Sequence, residues 1–317
     1  MYDVVIIGGG PAGFTAGIYA ARSKLRTILL EGSSTVSQIT VTDIIENYPG
    51  VPETSGFDLL DAMKRQAGGF GLAVAQETVS ALKAQVQDDF SRWIVETEKR
   101  RYAALAVIVA TGASWRRIGV PGEEEFIGRG VSFCATCDGP FYKNRAVAVV
   151  GGGDTALQEA LFLTKFASSV TVIHRRERLR ATAILQERAS ANPKINFAWN
   201  AVVQEIRGDQ TVRSLVLQDL KEGPVREIAV DGVFIFIGLE PVTAVVKDIV
   251  RCDERGYIVT GDDMKTSAPG IFACGDCRKK SLRQVITACG DGATAAHGVQ
   301  LYVDEVQGRS YGAWRSP

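Results

Sequence analysis

The sequence predicts an α/β fold with two similar β-turn-α-β units in one chain, the second inserted into the first. A β-branched segment at residues 4–7 runs directly into a glycine-rich turn and then into a helical segment. The same order returns after Ala146, and further apolar segments lie on both sides of the second unit. Glycine-rich turns between a strand and a helix are typical of dinucleotide-binding domains. We therefore expect two Rossmann-type domains.

Length and charge exclude several other classes of protein. A chain of 317 residues is long enough for two domains and for a core that needs no metal or disulfide to fold. The 36 Lys and Arg residues balance the 36 Asp and Glu residues, so no net field attracts nucleic acid or an anionic membrane. No apolar run reaches the roughly 18 residues of a membrane span, and residues 1–10 do not resemble a signal peptide. We expect a cytoplasmic protein with no membrane or nucleic-acid partner.

The first unit carries a complete dinucleotide-binding pattern. Residues 8–13 read G-G-G-P-A-G, in which Gly8, Gly10 and Gly13 permit a tight turn, close approach of the backbone to a pyrophosphate, and close packing of the helix. Helical sequence is expected from Thr15, and its N-terminus offers free N–H groups to phosphates. A strand at residues 27–30 ends at Glu31, where a carboxylate can accept hydrogen bonds from ribose hydroxyls.

The second unit repeats this pattern with one change. A strand at residues 146–150 precedes G-G-G-D-T-A at residues 151–156, and Gly151 follows Gly8 by 143 positions. The same offset places His174 at the position of Glu31, directly after a strand at residues 170–173. The acid of the first unit is therefore replaced by a basic segment.

The basic segment distinguishes the two cofactors. His174 is followed by Arg175 and Arg176, and Arg180 comes shortly after. A carboxylate suits a free ribose 2′-hydroxyl, whereas arginines suit a 2′-phosphate. We predict FAD in the first unit and NADP in the second. The alternative is that these arginines only form the solvent-exposed start of a helix.

The remaining segments complete a flavin domain that is interrupted in sequence. An apolar strand at residues 105–110 is expected to rejoin the first sheet, and V-P-G at residues 120–122 indicates a linker. A strand at residues 233–237 ends the second unit. We predict an FAD-binding domain at residues 1–114 and 242–317, and an NADPH-binding domain at residues 115–241.

A C-x-x-C motif opens the second domain. Cys134 and Cys137 are spaced so that their sulfurs lie within disulfide reach, and Asp138 could transfer a proton to a departing thiolate. A zinc site is not favoured, because the chain has two histidines and no second pair at zinc-finger spacing. We expect a redox disulfide beside a flavin.

A second C-x-x-C, Cys274 and Cys277, has a different context. Cys274 ends an apolar strand, and Asp276 lies where a carboxylate suits the ribityl chain of a flavin. We interpret Cys274 as a core residue and Cys277 as a cysteine that takes no part in the redox chemistry. A redox role for this pair is the alternative. Cys252 and Cys289 match no pattern and are expected to be small packing residues.

Taken in order, the motifs resemble one family. They are G-G-G-P-A-G at 8–13, E-N-Y-P-G at 46–50, A-T-G-A at 110–113, C-A-T-C-D-G at 134–139, G-G-G-D-T-A at 151–156, H-R-R at 174–176, G-D at 275–276 and R-Q-V-I-T-A at 283–288. Over nearly its whole length the chain resembles the low-molecular-weight thioredoxin reductases, class II FAD-dependent pyridine nucleotide-disulfide oxidoreductases.

The resemblance implies a homodimer and a disulfide relay. In the family, NADPH reduces FAD, the flavin reduces a Cys134–Cys137 disulfide, and the dithiol reduces thioredoxin or a thioredoxin-like protein. Cys137 would face the flavin, Cys134 would attack the substrate disulfide, and Asp138 would act as acid and base. The residues expected at FAD are Gly8, Gly10, Pro11, Ala12, Gly13, Glu31, Gln38, Asn47, Thr111, Gly112, Asp276, Arg283, Gln284 and Val285. The residues expected at NADPH are Gly151, Gly153, Asp154, Ala156, His174, Arg175, Arg176 and Arg180.

The chain departs from the family pattern at two places. Val36 and Ser37 replace paired glycines before Gln38, on a loop expected to touch the isoalloxazine. Beyond Tyr302 the chain continues into a tail containing Tyr311 and Trp314. This tail is either a solvated end or a flap whose aromatic ring stacks on a flavin and competes with nicotinamide.

Three alternatives to an NADPH-dependent thioredoxin reductase stay open. The same relay could take electrons from ferredoxin or another donor, with the tail covering the flavin. A ferredoxin–NADP reductase would share the fold but would have no use for Cys134 and Cys137. A flavoprotein redox sensor would use the disulfide to report oxidation to a partner.

Overall fold

The computed structural model describes residues 1–32, 37–41, 45–87, 90–221 and 223–309. The chain forms two compact units. One is Met1–Ser114 with Glu240–Pro317, and the other is Trp115–Leu239. We call them unit 1 and unit 2.

The helices and strands are as follows. The helices are α1 (Pro11–Arg22), α2 (Gly56–Gly69), α3 (Ala135–Asp138), α4 (Asp154–Leu163), α5 (Ala183–Ala191) and α6 (Val285–Val306). The strands are β1 (Tyr2–Ile7), β2 (Thr27–Leu30), β3 (Ala73–Ala75), β4 (Val79–Gln87), β5 (Phe90–Thr97), β6 (Arg101–Val109), β7 (Ala113–Trp115), β8 (Val131–Ser132), β9 (Ala146–Gly151), β10 (Ser169–His174), β11 (Ile195–Trp199), β12 (Ala201–Gly208), β13 (Val212–Asp219), β14 (Arg226–Ala229), β15 (Gly232–Phe236), β16 (Leu239–Pro241) and β17 (Ile271–Ala273). Short 3-10 helices occur at Gln38–Val41, Gly139–Tyr142 and Gly275–Cys277.

Unit 1 is built on a seven-stranded sheet in the order β3-β2-β1-β6-β5-β4, with β17 beside β6. Strands β3, β2, β1, β6 and β17 are parallel, whereas β5 and β4 continue the sheet antiparallel. Val5 of β1 lies opposite Val107 of β6. The predicted return of residues 105–110 to the first sheet is therefore confirmed.

The core of unit 1 lies on both faces of this sheet. Val4 and Ile6 pack among residues of α1, α2 and α6. Val5 and Ile7 point to the opposite face and pack with residues such as Val246 and Ile258. Both faces of β1 are buried from Val4 to Ile7, so this segment is apolar at every position instead of alternating with polar residues.

Unit 2 combines a parallel sheet with an antiparallel one. Its five parallel strands run in the order β11-β10-β9-β15-β8, and β12-β13-β14 form a separate antiparallel sheet. Helices α4 and α5 bury residues such as Leu157 and Leu185 on Val147 and Val149. On the other side, Leu215 and Leu217 of β13 pack with Val150 and other strand residues. Unit 2 therefore has a two-sided core made from its own residues.

Some boundaries differ from the expectations. Helix α1 begins at Pro11 rather than near Thr15, because proline fits the first helical position, where its missing N–H is not needed. Helix α6 continues to Val306. No helix in the described part of the chain is both long and apolar enough to cross a membrane.

Candidate functional site

The parallel strands of unit 1 bring the predicted flavin residues to one edge of the sheet. Strands β2, β1, β6 and β17 are neighbours in that sheet. Their carboxyl ends lead into Glu31, the turn at residues 8–13, Thr111 with Gly112, and Gly275 with Asp276. Ligands of open α/β sheets bind outside these carboxyl ends.

The first glycine turn is packed too tightly for side chains. A Cβ on Gly13 would lie 1.9 Å from the carbonyl oxygen of Gly8, and a Cβ on Gly8 would lie 2.2 Å from that of Ala110. Gly10 caps α1, and no described side chain caps this end. The backbone N–H groups after Pro11 in this first turn, beginning with that of Ala12, therefore remain open to a phosphate.

Glu31 lies beside this turn and is already held in place. Its carboxylate pairs with Lys64 Nζ at 2.8 Å and accepts a hydrogen bond from Gln76. A Cβ on Gly9 would lie 2.4 Å from Glu31 Cγ, so a side chain at position 9 would displace that of Glu31. Neither Lys64 nor Gln76 follows from the sequence, since they lie 33 and 45 residues beyond Glu31.

Other predicted flavin residues form hydrogen bonds within unit 1. Asn47 Nδ2 donates to Gln284 Oε1 at 3.2 Å, which joins two of them directly at the start of α6, next to Val285. Gln38 donates to the carbonyl of Ala113. Thr111 Oγ1 donates to the carbonyl of Val242 at 2.5 Å.

Of the three buried polar atoms in unit 1 that have no hydrogen-bond partner among the described residues, two belong to predicted flavin residues. They are Oδ1 of Asp276 and Nε of Arg283. Buried polar atoms are nearly always satisfied, so an acceptor and a donor left open here indicate a missing ligand. A flavin dinucleotide has ribityl hydroxyls and phosphates that match them, and the open helix N-terminus and Glu31 suit its pyrophosphate and ribose. The residues present therefore fit FAD.

The second glycine turn reproduces the packing of the first. A Cβ on Gly151 would lie 2.4 Å from the carbonyl oxygen of Phe236, and one on Gly152 would lie 2.3 Å from His174 Nδ1. Gly152 thus packs on His174 as Gly9 packs on Glu31. Gly153 caps α4, whose N-terminus has no side-chain cap among the described residues.

The basic residues surround the end of β10. His174 is buried, whereas Arg175, Arg176 and Arg180 are exposed. Burial lowers the pKa of His174, and the charges of Arg180 and Arg176 lower it further. Three exposed arginines that follow the buried His174 suit a phosphate group, so these residues fit NADPH.

Two other residues of the second turn have structural contacts. Asp154 Oδ1 accepts a hydrogen bond from Thr182 N at 2.6 Å, which ties the start of α4 to the start of α5. Ala156 is fully buried against the strands.

The cysteines divide into two chemical groups. Cys134 follows β8, is half-buried, and is disulfide-bonded. Cys252, Cys274, Cys277 and Cys289 are free. The side chain of Cys137 lies outside those described. Cys134 is fixed by its backbone, since its N–H donates to Ser132 Oγ at 3.0 Å and its carbonyl accepts from Asp138 N at 3.2 Å.

The second C-x-x-C is buried in unit 1. Cys274 and Cys277 are 0% exposed. Burial raises the pKa of Cys277 to about 11 and that of Cys274 well above its ordinary value. A buried, protonated thiol is a poor nucleophile. The geometry agrees with the interpretation of Cys274 as a core residue, and it buries Cys277 as well.

Two sequence features lie outside the described residues. They are residues 33–36 of the loop before Gln38, including Val36, and the tail that carries Tyr311 and Trp314. By contrast, the structure reveals three charged residues beside Asp276 that sequence reasoning missed. They are Arg278, Lys280 and Asp291.

Comparison with known proteins agrees with this geometry. Residues 2–292 match the family described as pyridine nucleotide-disulphide oxidoreductase. The thioredoxin reductase of Treponema pallidum is 48% identical over 307 residues, which cover 96% of this chain and 98% of the relative. That of Bacillus subtilis is 46% identical over 308 residues, 97% of this chain and 96% of the relative. The crystal structure of Lactococcus lactis thioredoxin reductase matches with a TM-score of 0.92 at 46% identity, covering 96% of this chain and 100% of that one. The chain therefore belongs to the pyridine nucleotide-disulphide oxidoreductase family, among its low-molecular-weight thioredoxin reductases.

Proposed function

We propose that the chain is an NADPH-dependent flavoprotein disulfide reductase that passes electrons through FAD and a Cys134–Cys137 disulfide to thioredoxin or a thioredoxin-like protein. Unit 1 is the FAD-binding domain and unit 2 the NADPH-binding domain. The domain limits proposed from the sequence, 1–114 with 242–317 and 115–241, lie within two residues of the compact units. From the family resemblance we also propose a homodimer, and from the sequence a cytoplasmic location, where other thiols stay reduced.

The observation that carries this proposal is the position of Cys134. Its disulfide-bonded sulfur belongs to the segment after β8, in the same parallel sheet whose β9 and β10 lead into the nucleotide turn and the arginines. The other described cysteines are free. A half-buried, disulfide-bonded cysteine in the same sheet as a nucleotide turn is typical of a redox centre rather than of a structural staple.

Each chain segment has a definite task in this proposal. The exposed arginines of unit 2 bind the 2′-phosphate, and the glycine turn with the N-terminus of α4 binds the pyrophosphate. In unit 1, the corresponding turn, Glu31 and the open atoms of Asp276 and Arg283 hold FAD. When bound, FAD takes two electrons from a nicotinamide and gives them to a disulfide. Asp138, half-buried at the end of α3, donates a proton to the thiolate that departs when the disulfide is cleaved.

The electron donor is tested by anaerobic titration of the purified holoprotein with NADPH and, separately, with NADH. Bleaching of the flavin absorbance at near-stoichiometric NADPH is the expected result. If dithionite bleaches the flavin and NADPH does not, the proposed donor is wrong, and a ferredoxin becomes the next candidate.

The redox pair is tested by counting electrons. Titrated with dithionite, the oxidised wild type should take up roughly four electrons per flavin and Cys134→Ser roughly two, because a disulfide and a flavin each accept two. Cys134→Ser should retain FAD but lose reduction of oxidised thioredoxin.

Cys252→Ser is the matched control, because Cys252 is a free and partly buried cysteine of unit 1. It should behave as wild type. Loss of two electrons in Cys277→Ser, with Cys134→Ser unaffected, would show that the redox role belongs to Cys274 and Cys277 and that the proposed pair is wrong.

A further inference from the structure

A buried cluster of charges lies behind Asp276 in unit 1. Besides Asp276 it contains Arg278 and Lys280 from the following turn and Asp291 from α6. The side chains of Lys280, Arg278 and Asp291 are 6%, 11% and 12% exposed. Charges so far from water destabilise a fold unless they are paired.

Asp291 contacts both cations of this cluster and the turn that carries Asp276. Its Oδ2 accepts from Lys280 Nζ at 2.9 Å and from the backbone N–H of Gly275 at 3.1 Å. Its Oδ1 lies 3.5 Å from Arg278, whose Nε donates to Thr260 Oγ1 at 2.9 Å. One carboxylate on α6 therefore fixes both the turn that carries Asp276 and the ammonium group beside it.

Lys280 lies between two carboxylates but bonds only one. Its Nζ is 2.9 Å from Asp291 and 3.7 Å from Oδ1 of Asp276. At 3.7 Å Lys280 stabilises the negative charge of Asp276 but is too far to form a hydrogen bond with Oδ1. This oxygen has no hydrogen-bond partner among the described residues. Burial raises the pKa of Asp276, and the charges of Lys280 and Arg283 oppose that rise.

This arrangement suits an acceptor that must stay ionised and unoccupied until a ligand arrives. If Lys280 bonded Asp276 directly, a ligand hydroxyl would have to displace an ion pair. If the cation were absent, burial would favour the protonated carboxyl, which has less capacity to accept hydrogen bonds.

We propose that Lys280, held by Asp291, is a positioning residue for the flavin that keeps the Asp276 carboxylate ionised and open to a hydroxyl of bound FAD. The inference rests on the proposed function, in which Asp276 contacts FAD. Lys280 itself acts only through Asp276.

The test compares holoenzyme variants by the release of FAD on dilution, followed as a rise in flavin fluorescence. Lys280→Met, which keeps much of the side-chain volume but removes the charge, should raise the dissociation constant of FAD about tenfold or more, the scale of one charge-assisted hydrogen bond. The matched control is Lys279→Met, because Lys279 is the neighbouring lysine and is exposed. The control should release FAD as the wild type does.

The coupling to Asp276 separates positioning from a merely structural role. In an Asp276→Asn background, Lys280→Met should weaken FAD binding by less than about threefold further, since non-additivity marks residues that act through one another. Equal losses in both backgrounds would overturn the proposal. So would wild-type FAD affinity in Lys280→Met.

Asp291→Asn provides a second test if Lys280→Met does not fold. It retains a side-chain oxygen for Gly275 N–H but weakens the hold on Lys280, which can then move onto Oδ1 of Asp276. FAD release should again increase, and again only when Asp276 is present; unchanged release would overturn the proposal. Unchanged FAD affinity in Asp276→Asn alone would instead refute the proposed flavin contact, and Lys280 would lose its role with it.

Discussion

At the scale of single residues, the two units differ in the charge of the side chains at one equivalent position. Glu31 and His174 occupy equivalent places, each against the second glycine of its turn. The carboxylate of Glu31 suits a ribose with a free 2′-hydroxyl, whereas the arginines after His174 suit a 2′-phosphate. We therefore infer that the side chains at this equivalent backbone position distinguish the two cofactors.

The phosphate preference of unit 2 leads to a prediction. Replacing Arg175 and Arg176 together with alanine should raise the KM for NADPH by about 10- to 100-fold for each lost charge-assisted contact and leave the KM for NADH nearly unchanged. Steady-state reduction of oxidised thioredoxin with each nucleotide measures this. Arg213→Ala is the control, because Arg213 is an exposed arginine on β13 of the same unit. If KM rose equally for both nucleotides, the arginines would not be reading the phosphate.

At the scale of elements, two helices of unit 1 approach each other through glycine. Gly292 of α6 faces α1, where a Cβ would lie 2.3 Å from the carbonyl oxygen of Ala12 and 3.1 Å from Ala16 N. Both atoms belong to the backbone of α1, so a side chain at this position can be accommodated only if one helix moves. Ala12 lies in the first turn of α1, at the glycine turn.

Gly292→Ala should therefore destabilise the protein by about 1–3 kcal/mol through overpacking and also increase FAD release. Urea unfolding and flavin fluorescence measure the two effects. Gly290→Ala is the matched control on the same helix, because Gly290 is exposed and its Cβ would meet open space. The control should be neutral or gain up to about 1 kcal/mol from helix propensity. A stable, flavin-retaining Gly292→Ala would mean that α1 and α6 can separate without loss.

The same comparison of elements shows where sequence reasoning succeeds. Strand β2 matches its predicted limits, and the two glycine turns lie where their spacing places them. These features depend on local steric rules that a short segment carries by itself. The antiparallel strands β4 and β12–β14 were not predicted, because their stability comes from pairing with neighbours rather than from their own pattern. Lys280 was missed for a similar reason, since only the packing of α6 brings Asp291 to it.

At the scale of the whole molecule, the insertion of unit 2 has a consequence for folding. Unit 1 is assembled from two distant parts of the chain, whereas unit 2 is the continuous segment Trp115–Leu239. Unit 2 also fills both faces of its sheet with its own residues. A continuous segment with its own core meets the physical requirements of an independent domain.

We therefore predict that residues 115–239, expressed alone, fold cooperatively and bind the adenosine 2′-phosphate portion of NADPH without binding flavin. Thermal unfolding by circular dichroism should show one transition, because a single domain of this size usually unfolds as one unit. Calorimetric titration should show binding of 2′,5′-ADP and much weaker binding of 5′-AMP, since only the former carries the phosphate that the arginines recognise. The segment with Arg175 and Arg176 replaced by alanine should fold as well but lose that difference. A segment that unfolds without a transition would show that the core of unit 2 depends on unit 1. A folded segment that binds both nucleotides equally would place phosphate recognition outside unit 2.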